Sequence, residues 1–211
     1  MRVAAARVYR YDLPFTRPVT TAKGRFSSRR GFLVALQDQE GRTGWGDAAP
    51  WPGFAGSHAA NRDDRVRQTL LDLSARTGPL VGSKLESLEQ IEAWLHDRSG
   101  SLPSEALHAV ELALLDLVGQ ERMLPVARLL GPSRANQVAV SAVASDPASA
   151  IRAVSAGVRT LKVKVGSTDV EADARRLEAI RAAVGEAVRL RADRARWGPK
   201  PVGMSFVPRG L

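Results

Sequence analysis

The sequence contains no cysteine, which excludes disulfides, iron–sulfur clusters, thiolate zinc sites and cysteine nucleophiles. Histidine is nearly missing too. His58, His96 and His108 are the only three, too scattered to suggest a histidine-built metal site. Any bound metal would therefore rest on oxygen ligands, which suits Mg2+ or Mn2+. Aromatic residues make up only 5% of the chain, thin material for the stacking platforms of a nucleic-acid binder. No apolar run approaches the roughly 18 residues of a transmembrane helix. Met1–Leu13 alternates instead of presenting the apolar centre of a signal peptide. The expectation is a soluble, cytoplasmic protein without a membrane partner. Neither GxGxxG nor GxxxxGK[ST] occurs, so a nucleotide site has no motif support.

What is present can build a core. Of 211 residues, 44% are hydrophobic and 25% charged, the balance of a globular chain. Lys and Arg number 31 against 22 Asp and Glu, a formal net charge of +9. The excess is uneven. Residues 194–211 carry Arg194, Arg196, Lys200 and Arg209 and no acid. Elsewhere acids and bases interleave, which reads as a solvated surface, and no nucleic-acid partner is expected.

The periodicity divides the chain. Val3–Tyr11 alternates as a strand, residues 15–29 read as a polar loop, and Gly31–Gln37 and Arg42–Gly46 complete a small antiparallel meander around the turn at Asp38–Gly41. A Pro/Gly loop at Gly46–Phe54 follows, with Trp51 and Phe54 expected at its surface. Helical spacing then predicts helices over His58–Arg76, Leu85–His96, Pro103–Gln120 and Leu124–Leu130. From Gln137 the rhythm becomes β-α-β-α-β: strands at Gln137–Val143, Arg159–Val165 and Ala187–Ala192. The first intervening helix opens at Asp146-Pro147 and turns Ile151 and Val154 inward. The second follows a Thr168–Glu171 capping box. Such alternation implies parallel strands with right-handed crossovers. Residues 194–211, with three Pro and three Gly, have no period and are expected to be an aberrant, disordered tail, of the kind a reading-frame shift in a GC-rich gene would write.

The strongest chemical signal is Thr160-Leu161-Lys162-Val163-Lys164-Val165-Gly166. Strand alternation puts Lys162 and Lys164 on one face and Leu161, Val163 and Val165 on the other. Two ammonium groups about 7 Å apart disfavour each other's charge, which favours a neutral amine able to act as a base. An exposed edge strand protected by lysines gives the same pattern. Asp193 ends the next strand, where it could bind a metal or simply cap a turn. Lysines ending one strand and an Asp ending the next, one βα unit apart, set a base and a metal ligand side by side at the face where barrel active sites gather.

The order GWGDAAPWPGF, ALHAVELALLDLVGQERMLPVARLLG, TLKVKVG, VRLRAD resembles the enolase superfamily from about Arg2 to Asp193. It is most similar to the muconate-lactonising subgroup and its o-succinylbenzoate synthase members. The resemblance implies an α+β capping domain over residues 1–132, then the first part of an α/β (TIM-type) barrel over 133–193, left incomplete. It implies Lys164 as catalytic acid/base, Lys162 as its charge-tuning neighbour and Asp193 as a Mg2+ ligand. The segments Thr16–Arg29 and Asp47–Phe54 match those that close over substrate. The implied activity is Mg2+-dependent proton abstraction α to a carboxylate, in a lyase of menaquinone biosynthesis acting on a small-molecule carboxylate. Muconate cycloisomerase, dipeptide epimerase, N-acylamino-acid racemase and a non-catalytic remnant are the alternatives. Three features depart from the family pattern. Asp193 is followed by Arg194-Ala195-Arg196-Trp197 rather than Ala-Asn-x-x-Trp, no acid follows it, and Asp47 stands where Glu is common. Little or no activity is expected of this chain alone, with self-association through the open barrel edge.

Overall fold

A computed structural model describes residues 1–21, 24–51, 61–85, 87–131, 137–166 and 169–194. The segments expected as a tail beyond Arg194, the Phe54 loop and Thr168 lie outside them. The chain divides into two units, Met1–Arg134 and Ala135–Leu211.

In the first unit, β1 (Val3–Thr21), β2 (Gly24–Asp38) and β3 (Thr43–Ala48) form an antiparallel sheet in the order β1-β2-β3. Of the expected loop over residues 15–29, the described residues 15–21 and 24–29 are instead strand. β1 and β2 extend past the core as a paired arm, in which Val19 faces Phe26 and Thr21 faces Gly24. A register irregularity between Pro14 and Val19 interrupts the ladder, as expected where Pro14 and Pro18 cannot donate. The arm buries no full face, so its sequence carries no alternation, while its Phe, Thr and Val residues still favour extended backbone. The β2–β3 turn is fixed by Asp38, whose carboxylate accepts from the Glu40 and Arg42 amides at 3.1 and 2.8 Å and from Arg42 Nε at 2.6 Å. Gly41 there takes φ +83°, a region L-residues avoid.

The sheet's inner face, with Val3, Phe32, Val34 and Leu36, packs on α1 (Arg62–Ser74), α2 (Leu88–His96) and α3 (Ser104–Arg122); the short α4 (Val126–Leu129) follows. α3 is central. Ala106, Ala109, Val110, Ala113, Leu114 and Leu117 are fully buried along it. Its small residues let β3 approach closely: a Cβ added at Gly46 would lie 1.8 Å from the Ala109 carbonyl oxygen. α1 and α2 begin later than their patterns predicted. For α2 the reason is Ser87, whose side chain accepts from the Gln90 amide and so sets the N-terminus.

In the second unit β4 (Ala142–Val143), β5 (Thr160–Val165) and β6 (Arg189–Arg194) form a parallel sheet in that order, with α5 (Pro147–Ser155) and α6 (Val170–Val184) as crossovers. Leu161 and Val163 are fully buried against Ala150 of α5 and Ile180 of α6. Three expectations are corrected. β4 is two residues long, because residues 137–141 make no ladder despite their alternation. Ile151 is 49% exposed, because Asp146 caps α5 through the Ser149 amide and that phase turns Ala150 inward. The cap of α6 is Asp169, which accepts from the Ala172 amide at 2.8 Å. The fold is thus an α+β capping domain followed by the first three strands of an α/β barrel, which do not close on themselves among the described residues.

Candidate functional site

Near its C-terminal end β5 carries Lys162-Val163-Lys164, and its apolar alternates, Leu161 and Val163, are drawn under the helices. The lysines must then occupy the opposite face. Parallel pairing sets Lys164 beside Asp193 and Lys162 beside Arg191, so residues at the C-terminal ends of adjacent strands become neighbours about 4.8 Å apart in backbone. Their side chains converge. Asp193 Oδ2 accepts a hydrogen bond from Lys164 Nζ and lies 3.0 Å from Lys162 Nζ. Lys164 is the most exposed of the three; Lys162 and Asp193 are about one-third exposed. The Lys164 hydrogen bond, with the second one from Lys162, holds the Asp193 carboxyl below its ordinary value.

The structure therefore brings Lys162, Lys164 and Asp193 into one cluster. It also changes the electrostatic expectation. The shared carboxylate offsets the repulsion between the two ammonium groups, so their closeness alone does not make a base. Sequence reasoning missed Arg191, which follows from the same alternation in Leu190-Arg191-Ala192-Asp193. It missed Asp173 and Arg176 as well, an i,i+3 pair on α6 that reaches the end of β5.

A divalent cation is poorly served by what is described. Asp193 is one carboxylate already shared by two ammonium groups, and no cluster of three or more His, Asp or Glu side chains occurs among the described residues. These residues do not by themselves fit Mg2+.

In the capping unit, the arm and the residues after β3 meet at Trp51. Phe26 lies 5.1 Å from its ring, Phe15 6.3 Å, and the Arg29 guanidinium stacks at 4.7 Å. Trp51 was expected to be exposed. It is half-buried instead, because this stacking covers the ring on more than one side. Arg29 also donates to the Ala49 and Pro50 carbonyls. Beside them is a cavity of about 270 Å³ lined by Arg25, Phe26, Arg29, Trp51 and Asp63. Tyr11 donates to Asp47 at 2.8 Å. Its burial, and then the Asp47 hydrogen bond and charge, push the phenol up to about 12. No described helix is long and apolar enough to cross a membrane.

A capping domain followed by parallel strands with Lys and Asp at their C-terminal ends defines the class. Comparison with known proteins agrees. Residues 3–78 match the family "MenC, N-terminal domain" and residues 146–200 match "Enolase C-terminal domain-like". The second match runs past Asp193 into the segment expected as tail. The chain is 31% identical to L-Ala-D/L-Glu epimerase of Bacillus subtilis over 210 residues, 95% of this chain and 54% of that protein. It superposes with a TM-score of 0.75 on the dipeptide epimerase of Enterococcus faecalis complexed with Mg and the dipeptide L-Leu-L-Tyr, at 28% identity, covering 92% of this chain and 54% of that one. A shorter similarity, 42% over 60 residues, is to o-succinylbenzoate synthase of Thermosynechococcus vestitus, covering 28% of this chain and 18% of that protein. This chain belongs to the enolase superfamily, in its muconate-lactonising-like subgroup. It spans about half the length of the relatives it matches from end to end.

Proposed function

We propose that this chain supplies the capping domain and the opening barrel strands of an epimerase that moves a proton at a carbon next to a carboxylate, with a dipeptide as substrate class. The observation that carries the reading is the cluster of Lys164 and Lys162 on Asp193 at the strand ends, in a chain similar to L-Ala-D/L-Glu epimerase over 95% of its length. The lyase first expected has weaker support, since its relative matches over 60 residues only.

In this reading Lys164 takes the α-proton at Nζ. For that it must leave Asp193 as a neutral amine, since an ammonium held by a carboxylate has no lone pair to offer. Lys162, on the same oxygen, keeps Asp193 in place when Lys164 moves. Inversion at carbon also needs a proton donor on the far face of the substrate. Among the described residues no lysine of another strand faces Lys164, so the chain alone is expected to turn over little or nothing. Mg2+ comes to the reading from the magnesium-bound relative; because the described residues do not fit the ion by themselves, no step is assigned to it.

A second reading, o-succinylbenzoate synthase, is favoured by the capping-domain match over residues 3–78. One experiment separates the two. The chain, alone and mixed with the remaining barrel half of the Bacillus relative, is incubated in D2O with Mg2+ and L-Ala-L-Glu. Deuterium is expected at the dipeptide α-carbon in the mixture and should fall by about 10²–10⁴-fold in Lys164→Ala. Formation of o-succinylbenzoate from its precursor, without dipeptide exchange, would replace the epimerase by the synthase. Neither activity in the mixture would leave a non-catalytic remnant.

A further inference from the structure

Two charged side chains in the described residues are buried: Asp38, already accounted for by its turn, and Asp173, only 6% exposed. Asp173 sits on the inner side of α6, where an apolar residue would pack at no desolvation cost. Its partners are the residue just past the strand that carries the lysines and an arginine on its own helix. Asp173 Oδ2 accepts the Gly166 amide at 2.7 Å, and Asp173 Oδ1 accepts from Arg176 Nη2 at 2.7 Å. The same Arg176 nitrogen donates to the Lys164 carbonyl. The pair thus grips the backbone on both sides of Val165, from the face opposite the Lys164 side chain. Gly166, two residues after the lysine, leaves the strand at φ +99°, a conformation that the grip helps to hold. Arg176 Nε has no hydrogen-bond partner among the described residues.

We propose that Asp173 and Arg176 are positioning residues for Lys164, fixing the backbone from which its amine reaches Asp193. Neither side chain touches the face on which Lys162, Lys164 and Asp193 meet, so their action passes through the peptide backbone. The proposal rests on Lys164 being the proton-transferring group, and its test reads the lysine directly as well as through turnover.

The first readout is the acylation rate of Lys164 relative to Lys162 in the full chain, followed by peptide mass spectrometry with a water-soluble amine-reactive ester. Arg176→Gln and Asp173→Ala should raise the ratio at least about threefold, because the amine is no longer held on Asp193. Arg176→Lys should restore most of the wild-type ratio. Arg181→Gln is the control: Arg181 lies on the same helix and donates to the Gly185 and Val188 carbonyls at 2.6 and 2.7 Å, remote from Lys164. It should lower stability and leave the ratio unchanged. The second readout, on the reconstituted mixture, is a fall in kcat with KM little altered. An unchanged ratio in Arg176→Gln and Asp173→Ala, with stability losses like that of Arg181→Gln, would reduce the pair to a strut and overturn the proposal. If Arg176→Gln fails to fold, Asp173→Asn keeps an acceptor for the Gly166 amide without the charge and carries the same test. The ratio is independent of substrate, so absence of dipeptide exchange with an altered ratio would count against the epimerase reading alone.

Discussion

Asp38 shows what a single charged residue can do in the capping unit. Burial alone would raise its carboxyl. The Arg42 side chain and the Arg42 and Glu40 amides outweigh that and hold it below the ordinary value. A carboxyl that is lowered on folding contributes stability above its unfolded range, and the contribution is lost as pH falls through the folded value. Asp38→Asn is therefore expected to lose about 1–3 kcal/mol at neutral pH. The gap from wild type should close as the pH is taken from about 5 towards 2. Urea unfolding across that range checks it, and a gap independent of pH would mean that shape rather than charge matters at this turn. Asp193 obeys the same sign at the strand end. It is lowered by its lysines, so acid should protonate it and free both amines together.

At the scale of elements, the contact of β3 with α3 has least tolerance. At Gly46 and Gly44 a Cβ would meet helix backbone at 1.8 and 2.2 Å, from Ala109 and Ala113. Backbone atoms cannot rotate away as side-chain ends can. Gly46→Ala is expected to cost about 3 kcal/mol, read by chemical unfolding, whereas Gly41→Ala would meet no atom and would suffer only from its positive φ. The sequence made part of this legible. The helix α3 and the faces of β5 followed from spacing, because each buries one side and exposes the other. The β1–β2 arm from Leu13 to Phe26 did not, since pairing without a buried face leaves no alternation to read. β4 failed in the opposite direction: Gln137–Val143 alternates, but only Ala142 and Val143 find a partner strand. The lysine cluster was legible as residues, though the carboxylate shared between the lysines belongs to the register of β5 on β6 and to no local pattern. The grip of Asp173 on Gly166 likewise spans seven residues and depends on how α6 folds back.

For the whole molecule, the two units have different prospects. The parallel sheet has β4 and β6 at its edges, each with one hydrogen-bonded neighbour among the described residues, and Val138, Val140 and Val143 are 86%, 68% and 63% exposed. Open strand edges beside apolar side chains invite pairing with another chain. The purified chain is expected to elute from size exclusion as more than a monomer and to bind ANS. A monomeric, ANS-silent protein with one cooperative transition would contradict that. The capping unit needs no such help. Its apolar cluster runs from Val3 to Val118, and none of its members lies beyond Arg134. On the ribosome that unit can complete its core while Ala135–Leu211 is still being made, a delay of roughly 4–15 s at about 5–20 residues per second. The nascent parallel strands therefore emerge after the capping core has had time to fold, and the hazard of misassembly falls on those strands rather than on that core.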